Sequence, residues 1–322
     1  MSTNNHVFKP FDQDKSKLES IFEKIHSGNT ILLLGAGASI TDKKYLSSDI
    51  IEYFSNKLGR KSNTNDIVKF VDYLSLNPEF NRKEFDDFVY NLLDKLSPNK
   101  VHETIFQIMW RMIITTNFDL LLEKTQYDLK DSSTPIFELL PIRSINESHT
   151  IPSKKQVPYY KLNGCMSDRS KYKFIFSSND FRTANKYYKK VLNSLNSLSN
   201  DISFLSIGYS YSDPLAQIIL DKFDSYNYRE RKWIYSVDPS MEETDVRLDY
   251  FTQNKISIIK MTGLDFFDAY NKWESQKIKN KKIYKSITNN NNEKLPIPIK
   301  LLSNLDGVLT QLNNRYEGRI IS

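Results

Sequence analysis

Two short motifs carry most of the chemical information in this chain. Gly35-Ala36-Gly37-Ala38-Ser39 closes one apolar run, and Thr115-Thr116-Asn117-Phe118-Asp119 closes another. A turn of small residues at a strand end lets backbone N–H groups approach a pyrophosphate. The second motif brings a carboxamide and a carboxylate to the end of another strand, where ligands bind in open parallel sheets. Together they predict a dinucleotide held over a polar reaction centre. Each also has a plainer reading. The glycine turn lacks the third glycine of the dehydrogenase fingerprint, because Ile40 stands there, and no Gly-Lys-Ser/Thr follows, which excludes a Walker loop. It could be a tight strand–helix turn without a ligand. Asn117 and Asp119 could be an N-cap and a turn residue for the helix that starts at Leu120.

Three further polar groups end apolar runs. They are Tyr160-Lys161-Leu162-Asn163-Gly164-Cys165, Gly208-Tyr209-Ser210-Tyr211-Ser212-Asp213-Pro214 and Ser236-Val237-Asp238-Pro239. Gly208 and Ser210 suit the lining of a ribose or phosphate, and Asp213-Pro214 reads as a helix start. Asp238 could accept hydrogen bonds from a ribose diol, or serve as a turn carboxylate.

The elements that must position these residues are legible from periodicity. Residues 15–27 place Leu18, Ile21, Phe22 and Ile25 on one helical face, and Gly28-Asn29 ends that helix. Strands are expected at 30–34, 112–116, 157–162, 173–177, 202–207, 233–237 and 256–260. Residues 47–111 are mostly helical. Phe85, Phe88, Val89, Leu92, Leu93 and Leu96 fall on one face there, and residues 184–198 are helical again. Apolar strands alternating with helices predict an α/β fold: a Rossmann-like parallel sheet with helices on both faces and a helical insertion or lid. The expected division is an N-terminal helix over 1–28, one domain over 29–270 with its insertion at 47–111, and a basic linker and C-terminal segment over 271–322. That tail is rich in Lys and Asn and reads as solvated or peripheral.

Composition narrows the class. With 322 residues, 39% hydrophobic, and 19 Tyr and 19 Phe, the chain can bury a sizeable core. A net charge of +6 is too mild to argue for nucleic acid. No run of apolar residues is long enough to span a membrane, and the first residues lack the apolar segment of a secretory signal. The single cysteine, Cys165, excludes an internal disulfide and a multi-cysteine zinc site. A cytoplasmic protein without a metal is expected.

The five motifs, in this order over residues 30–260, resemble the sirtuin family, and more closely the bacterial sirtuin-like domains of anti-phage defence systems. The resemblance implies an NAD hydrolase that releases nicotinamide and ADP-ribose and depletes NAD in infected cells, with NAD as substrate. It implies that Gly35, Ala36, Gly37, Ser39, Thr116, Gly208, Ser210 and Asp238 hold the dinucleotide. Asn117 then positions the attacking water or polarises the ribose, and Asp119 supports that geometry. A regulated assembly is implied as well: a homo-oligomer, with a HerA-type ATPase, an Argonaute-like protein or a phage-derived activator as partner.

Two departures from the family pattern stand out. Asn163 occupies the histidine of Lys-Leu-His-Gly, the ribose general base by resemblance. A carboxamide cannot take up a proton near neutral pH, and a general base contributes roughly 10²–10⁴ in rate. The other histidines (His6, His26, His102, His149) lie outside the motifs. The zinc module of protein-deacylating sirtuins is also missing, which disfavours deacylation. A non-catalytic NAD- or ADP-ribose-binding module for sensing or assembly is the competing reading, motivated by Asn163.

Overall fold

The computed structural model of the protein describes residues 15–39, 47–132, 135–147, 153, 155–196, 202–209, 211, 219 and 233–290. Seven strands form one sheet: Thr30–Leu34 (β1), Met112–Thr115 (β2), Glu138–Ile142 (β3), Gln156–Lys161 (β4), Ser203–Ile207 (β5), Trp233–Val237 (β6) and Ile256–Ile259 (β7). Their order is β3-β4-β2-β1-β5-β6-β7, and every neighbouring pair is parallel. All carboxyl ends therefore share one edge. The helices are Lys15–His26 (α1), Ser47–Lys57 (α2), Ile67–Leu74 (α3), Arg82–Asp94 (α4), Lys100–Ile105 (α5), Leu121–Ser132 (α6), Ser178–Asn196 (α7), Leu248–Gln253 (α8) and Gly263–Asn290 (α9). None of the described helices is long and apolar enough to cross a membrane.

Alternation along β1 explains why both faces need cover. Ile31 and Leu33 join one buried cluster with Tyr188, Val191 and Leu195 of α7 and Phe251 of α8. Leu32 and Leu34 join another with Ile21 and Phe22 of α1, Ile105 of α5 and Phe266 of α9. A strand apolar on both faces reads as a continuous run, as Thr30-Ile31-Leu32-Leu33-Leu34 does.

A third cluster belongs to the insertion. Ile50, Phe54, Phe70, Val71, Phe85 and Val89 of α2, α3 and α4 pack on Met166, Phe174 and Phe176, with Phe118 and Leu120 against them. These helices thus rest on the loops that follow β2 and β4. Arg82 fastens them there. Its guanidinium donates to Asp86 Oδ1 at 2.8 Å, Asp180 Oδ2 at 2.9 Å and the Phe174 carbonyl at 2.7 Å.

Two expectations need correction. Residues 173–177 form no strand. Their backbone groups are engaged otherwise, with Ile175 N–H donating to the Asn163 carbonyl and the Phe174 carbonyl accepting from Arg82, while Phe174 and Phe176 face the insertion. Strand β3 lies outside the expected set because Pro141 interrupts its run; it is tolerated since β3 is an edge strand. In the tail, α9 continues helical to Asn290, and the chain divides into compact units after Trp273.

Strand β1 is where the chain turns from one half of the sheet to the other, with β2 on one side and β5 on the other. The loops after β1 and β5 press together there. Gly35 N–H donates to the Ile207 carbonyl at 3.1 Å, and Gly37 N–H to the Gly208 carbonyl at 2.9 Å. Gly208 has φ +62°, and a Cβ on it would lie 2.2 Å from the Ala38 nitrogen. Backbone conformation and backbone contact both demand glycine. Gly208→Ala is expected to cost about 3 kcal/mol of stability, measured by urea unfolding, because strain and overlap add.

Candidate active site

The sheet order gathers what the sequence scatters. Strands β4, β2, β1, β5 and β6 are consecutive, and their carboxyl ends carry Asn163, Thr116 to Asp119, Gly35 to Ser39, Gly208 and Asp238. At ~4.8 Å per strand the row spans roughly 19 Å. Ser210 lies outside the described residues, as do Ile40, Asp213, Pro214 and the histidines His6 and His149.

At its centre, side chains from β1 and β2 interlock. Thr115 pairs with Leu34 in the ladder, and its hydroxyl donates to the Leu34 carbonyl at 3.0 Å and accepts from Asn117 N–H at 3.0 Å. That turns Asn117 toward the glycine loop. Its Nδ2 donates to the Gly35 carbonyl and to Ser39 Oγ, each at 3.0 Å. A carbonyl only accepts, so the NH₂ arm must face Gly35 and the carboxamide oxygen takes the opposite arm. Ser39 Oγ in turn donates to Asp119 Oδ2 at 2.9 Å, while Asp119 Oδ1 accepts from Leu121 N–H at 3.0 Å. Asp119 therefore accepts from the first N–H of α6, the turn role of the plainer reading, and also anchors Ser39. Asp119 is only 6% exposed.

Three residues outside the expected site complete this network. Lys161, 0% exposed, donates to the main-chain carbonyl of Asp119 and sits 3.6 Å from Glu123 Oε1. Arg143 lies 3.6 Å from the same carboxylate and 3.9 Å from Glu147. Burial works against the Arg143 charge, but Cys165, Glu123 and Glu147 beside it outweigh that and hold its pKa above the ordinary value. His102, buried on α5, holds Asn99 through its Nδ1, and Asn99 Nδ2 donates to the Ala38 carbonyl at 3.3 Å. Burial pushes its pKa down, partly opposed by the charge of Asp119. A histidine outside every motif is thus set against the central carboxylate.

The glycine loop departs from expectation. The N–H groups of Gly35 and Gly37 are engaged by the β5 loop, so any approach to a phosphate falls to other groups of the turn, where Ala36 is exposed. Asn163 is buried at the end of β4, and its loop is tied to the β2 loop by Leu162 N–H to the Thr115 carbonyl and Met166 N–H to the Phe118 carbonyl. Gly164 has φ +101° and passes against the Lys173 carbonyl. The Asp238 carboxylate is engaged by its own turn: Oδ1 accepts from Ser240 N–H and Oγ at 2.9 and 2.7 Å, and Oδ2 meets Arg247 at 3.4 Å. Thr116 is half-buried beside Asn117.

This frame invites comparison with known proteins, and a family model described as a SIR2-like domain matches residues 111–259. That region is similar to SIR2-like domains. Among curated proteins, the NAD(+) hydrolase ThsA of Bacillus cereus (strain MSX-D12) is 22% identical over 223 residues, covering 68% of this chain and 44% of its own length. The chain thus spans less than half of that relative. Among solved structures, the ADP-ribose complex of a Sir2 homologue mutant aligns with a TM-score of 0.42 at 13% identity, covering 81% of this chain and 98% of its own. Among the described residues, no group of three or more His, Cys, Asp or Glu is placed to hold a metal ion.

The depressed pKa of His102 has a consequence for stability. Below its ordinary value of 6.5 the unfolded chain takes up a proton that the buried ring resists, so the unfolded state binds more protons. Stability should fall as pH drops below about 6.5. The difference in urea-unfolding free energy between the parent and His102→Gln, followed from pH 7.5 to 5, should shrink as the pH falls.

Proposed function

We propose that the chain is an NAD hydrolase, in which water replaces nicotinamide at the ribose C1′ and the products are nicotinamide, ADP-ribose and a proton. The observation that carries this reading is the fixed carboxamide of Asn117 beside the chain's turning point between β2 and β5. Cleavage of the nicotinamide–ribose bond passes through an oxocarbenium-like state. It needs a well-placed oxygen and excluded water more than a strong nucleophile. Asn117 Oδ1, on the arm opposite the Gly35 contact, is assigned to the ribose or the attacking water. Ser39, itself held by Asp119, fixes the opposite NH₂ arm and so the direction of Oδ1, and the insertion helices cover the same loops. Gly35, Ala36, Gly37, Ser39, Thr116, Gly208, Ser210 and Asp238 form the dinucleotide cradle. Within it, Gly35, Gly37 and Gly208 act by letting two loops meet closely. The name of the ThsA relative supports the activity.

The biological setting belongs to the same proposal: NAD depletion in anti-phage defence, in the cytoplasm, by a homo-oligomer. It is released by a HerA-type ATPase, an Argonaute-like protein or a phage-derived activator. Asn163 favours a second reading, a module that binds NAD or ADP-ribose without turnover, since the buried position after β4 carries a group that cannot accept a proton.

Nicotinamide release by concentrated protein separates the two. Under the first reading the parent or Asn163→His releases nicotinamide, and Asn117→Ala lowers the rate by at least about 10²-fold. A gain of about 10²-fold or more in Asn163→His marks the parent as a slowed hydrolase. Saturable NAD binding by calorimetry with no release from either form supports the binding module.

A further inference from the structure

Lys161 is the one fully buried Lys or Arg among the described residues, and its location is not accidental to the site. It ends β4 directly opposite Thr115 in the ladder, so its side chain passes beneath the loop that carries Asn117 and Asp119. Its ammonium donates to the Asp119 carbonyl and lies 3.6 Å from Glu123, in the first turn of α6. Removing an ammonium from water costs several kcal/mol, and an apolar pair of similar volume often stabilises a fold as well or better. Glu123 repeats the anomaly. Among the described residues its two carboxylate oxygens are buried without hydrogen bonds, and its neighbours are Lys161 and Arg143, each at 3.6 Å. Stability alone gives little reason for this arrangement.

Geometry gives one. The Asn117 carboxamide is aimed by the Gly35 carbonyl, by Ser39 and, through Ser39, by Asp119. Asp119 is held at its carboxylate by Ser39 and Leu121, and at its main chain by Lys161. Without the ammonium, the peptide between Asp119 and Leu120 loses its fixed partner, and the carboxylate above it loses its register with Ser39. We propose that Lys161, with Glu123 as its counter-ion, is a positioning residue that holds the Thr115–Asp119 loop so that Asn117 points its oxygen at the reacting centre. The catalytic part of this inference rests on the hydrolase reading; the geometric part does not.

The test compares Lys161→Met and the double variant Lys161→Met/Glu123→Leu, each with and without Asn163→His. The single variant leaves the buried Glu123 oxygens with Arg143 as their remaining cation and serves as the less stable control. The double variant removes both charges and is expected to melt within about 5 °C of the parent. The decisive readout is the pair of side-chain amide proton signals that disappear in Asn117→Ala, followed by NMR. In the double variant these protons should exchange with solvent at least about tenfold faster. Where the parent or its Asn163→His form turns over, kcat should fall at least about tenfold with little change in KM. Unchanged Asn117 exchange in a folded double variant overturns the proposal. So does recovery of both stability and kcat on removing Glu123, since that marks a purely structural pair. Faster exchange in a protein that never releases nicotinamide keeps the positioning role and removes the hydrolase reading.

Discussion

The hydrogen bond from the Asn117 carboxamide to the Gly35 carbonyl joins the two halves of the site, and the surrounding structure serves to make it possible. It requires β1 and β2 to be neighbours in a register that sets Leu34 beside Thr115. It requires the glycine turn to present a carbonyl sideways, which the contact with the β5 loop enforces through Gly35, Gly37 and Gly208. It also requires Asp119 to hold Ser39, the second acceptor of the same NH₂ group. A central strand apolar on both faces, helices on either side and an edge of aligned carboxyl ends are the means by which these few polar atoms meet.

Polar groups beneath this bond are dense for a protein interior. Asp119, Glu123, Lys161, Arg143 and His102 lie buried or half-buried around one loop. Burying charge is unfavourable unless partners compensate. Here they do so by pairing across elements far apart in sequence, α5 to β2, and β4 to α6. The result is a site whose rigidity comes from electrostatic contacts as much as from apolar packing.

Much of this was readable from the chain. The strand ends were marked by small and polar residues after apolar runs, and the parallel sheet followed from runs apolar on both faces, as in Ile31 to Leu34. What remained hidden was whatever depended on long-range proximity. Lys161 is only one member of a polar strand-end group in the sequence, His102 is a histidine outside the motifs, and nothing in the sequence marks Glu123. Their roles appear only once β4 lies beside β2 and α5 beside the glycine turn. Asp238 shows the reverse limit. Its motif was noticed, but the engagement of its carboxylate by Ser240 and Arg247 is a tertiary fact. Pro141 hid β3, because edge position, which makes a proline acceptable, is not written locally.

Phe118 sits between Asn117 and Asp119 yet faces the other way, its ring 4.9 Å from Phe174 and 4.7 Å from Phe176 in the core of the insertion. Within one stretch of chain, adjacent side chains serve the polar centre and the apolar cover. The insertion is therefore no detachable ornament: excising residues 47–94 would strip the cover from three aromatic rings immediately beside the central carboxamide. The segment matched by the family model, 111–259, likewise omits β1, the strand between β2 and β5. The smallest working form of this site is larger than its recognisable signature, and it has to include both the first strand and the helices that precede the second.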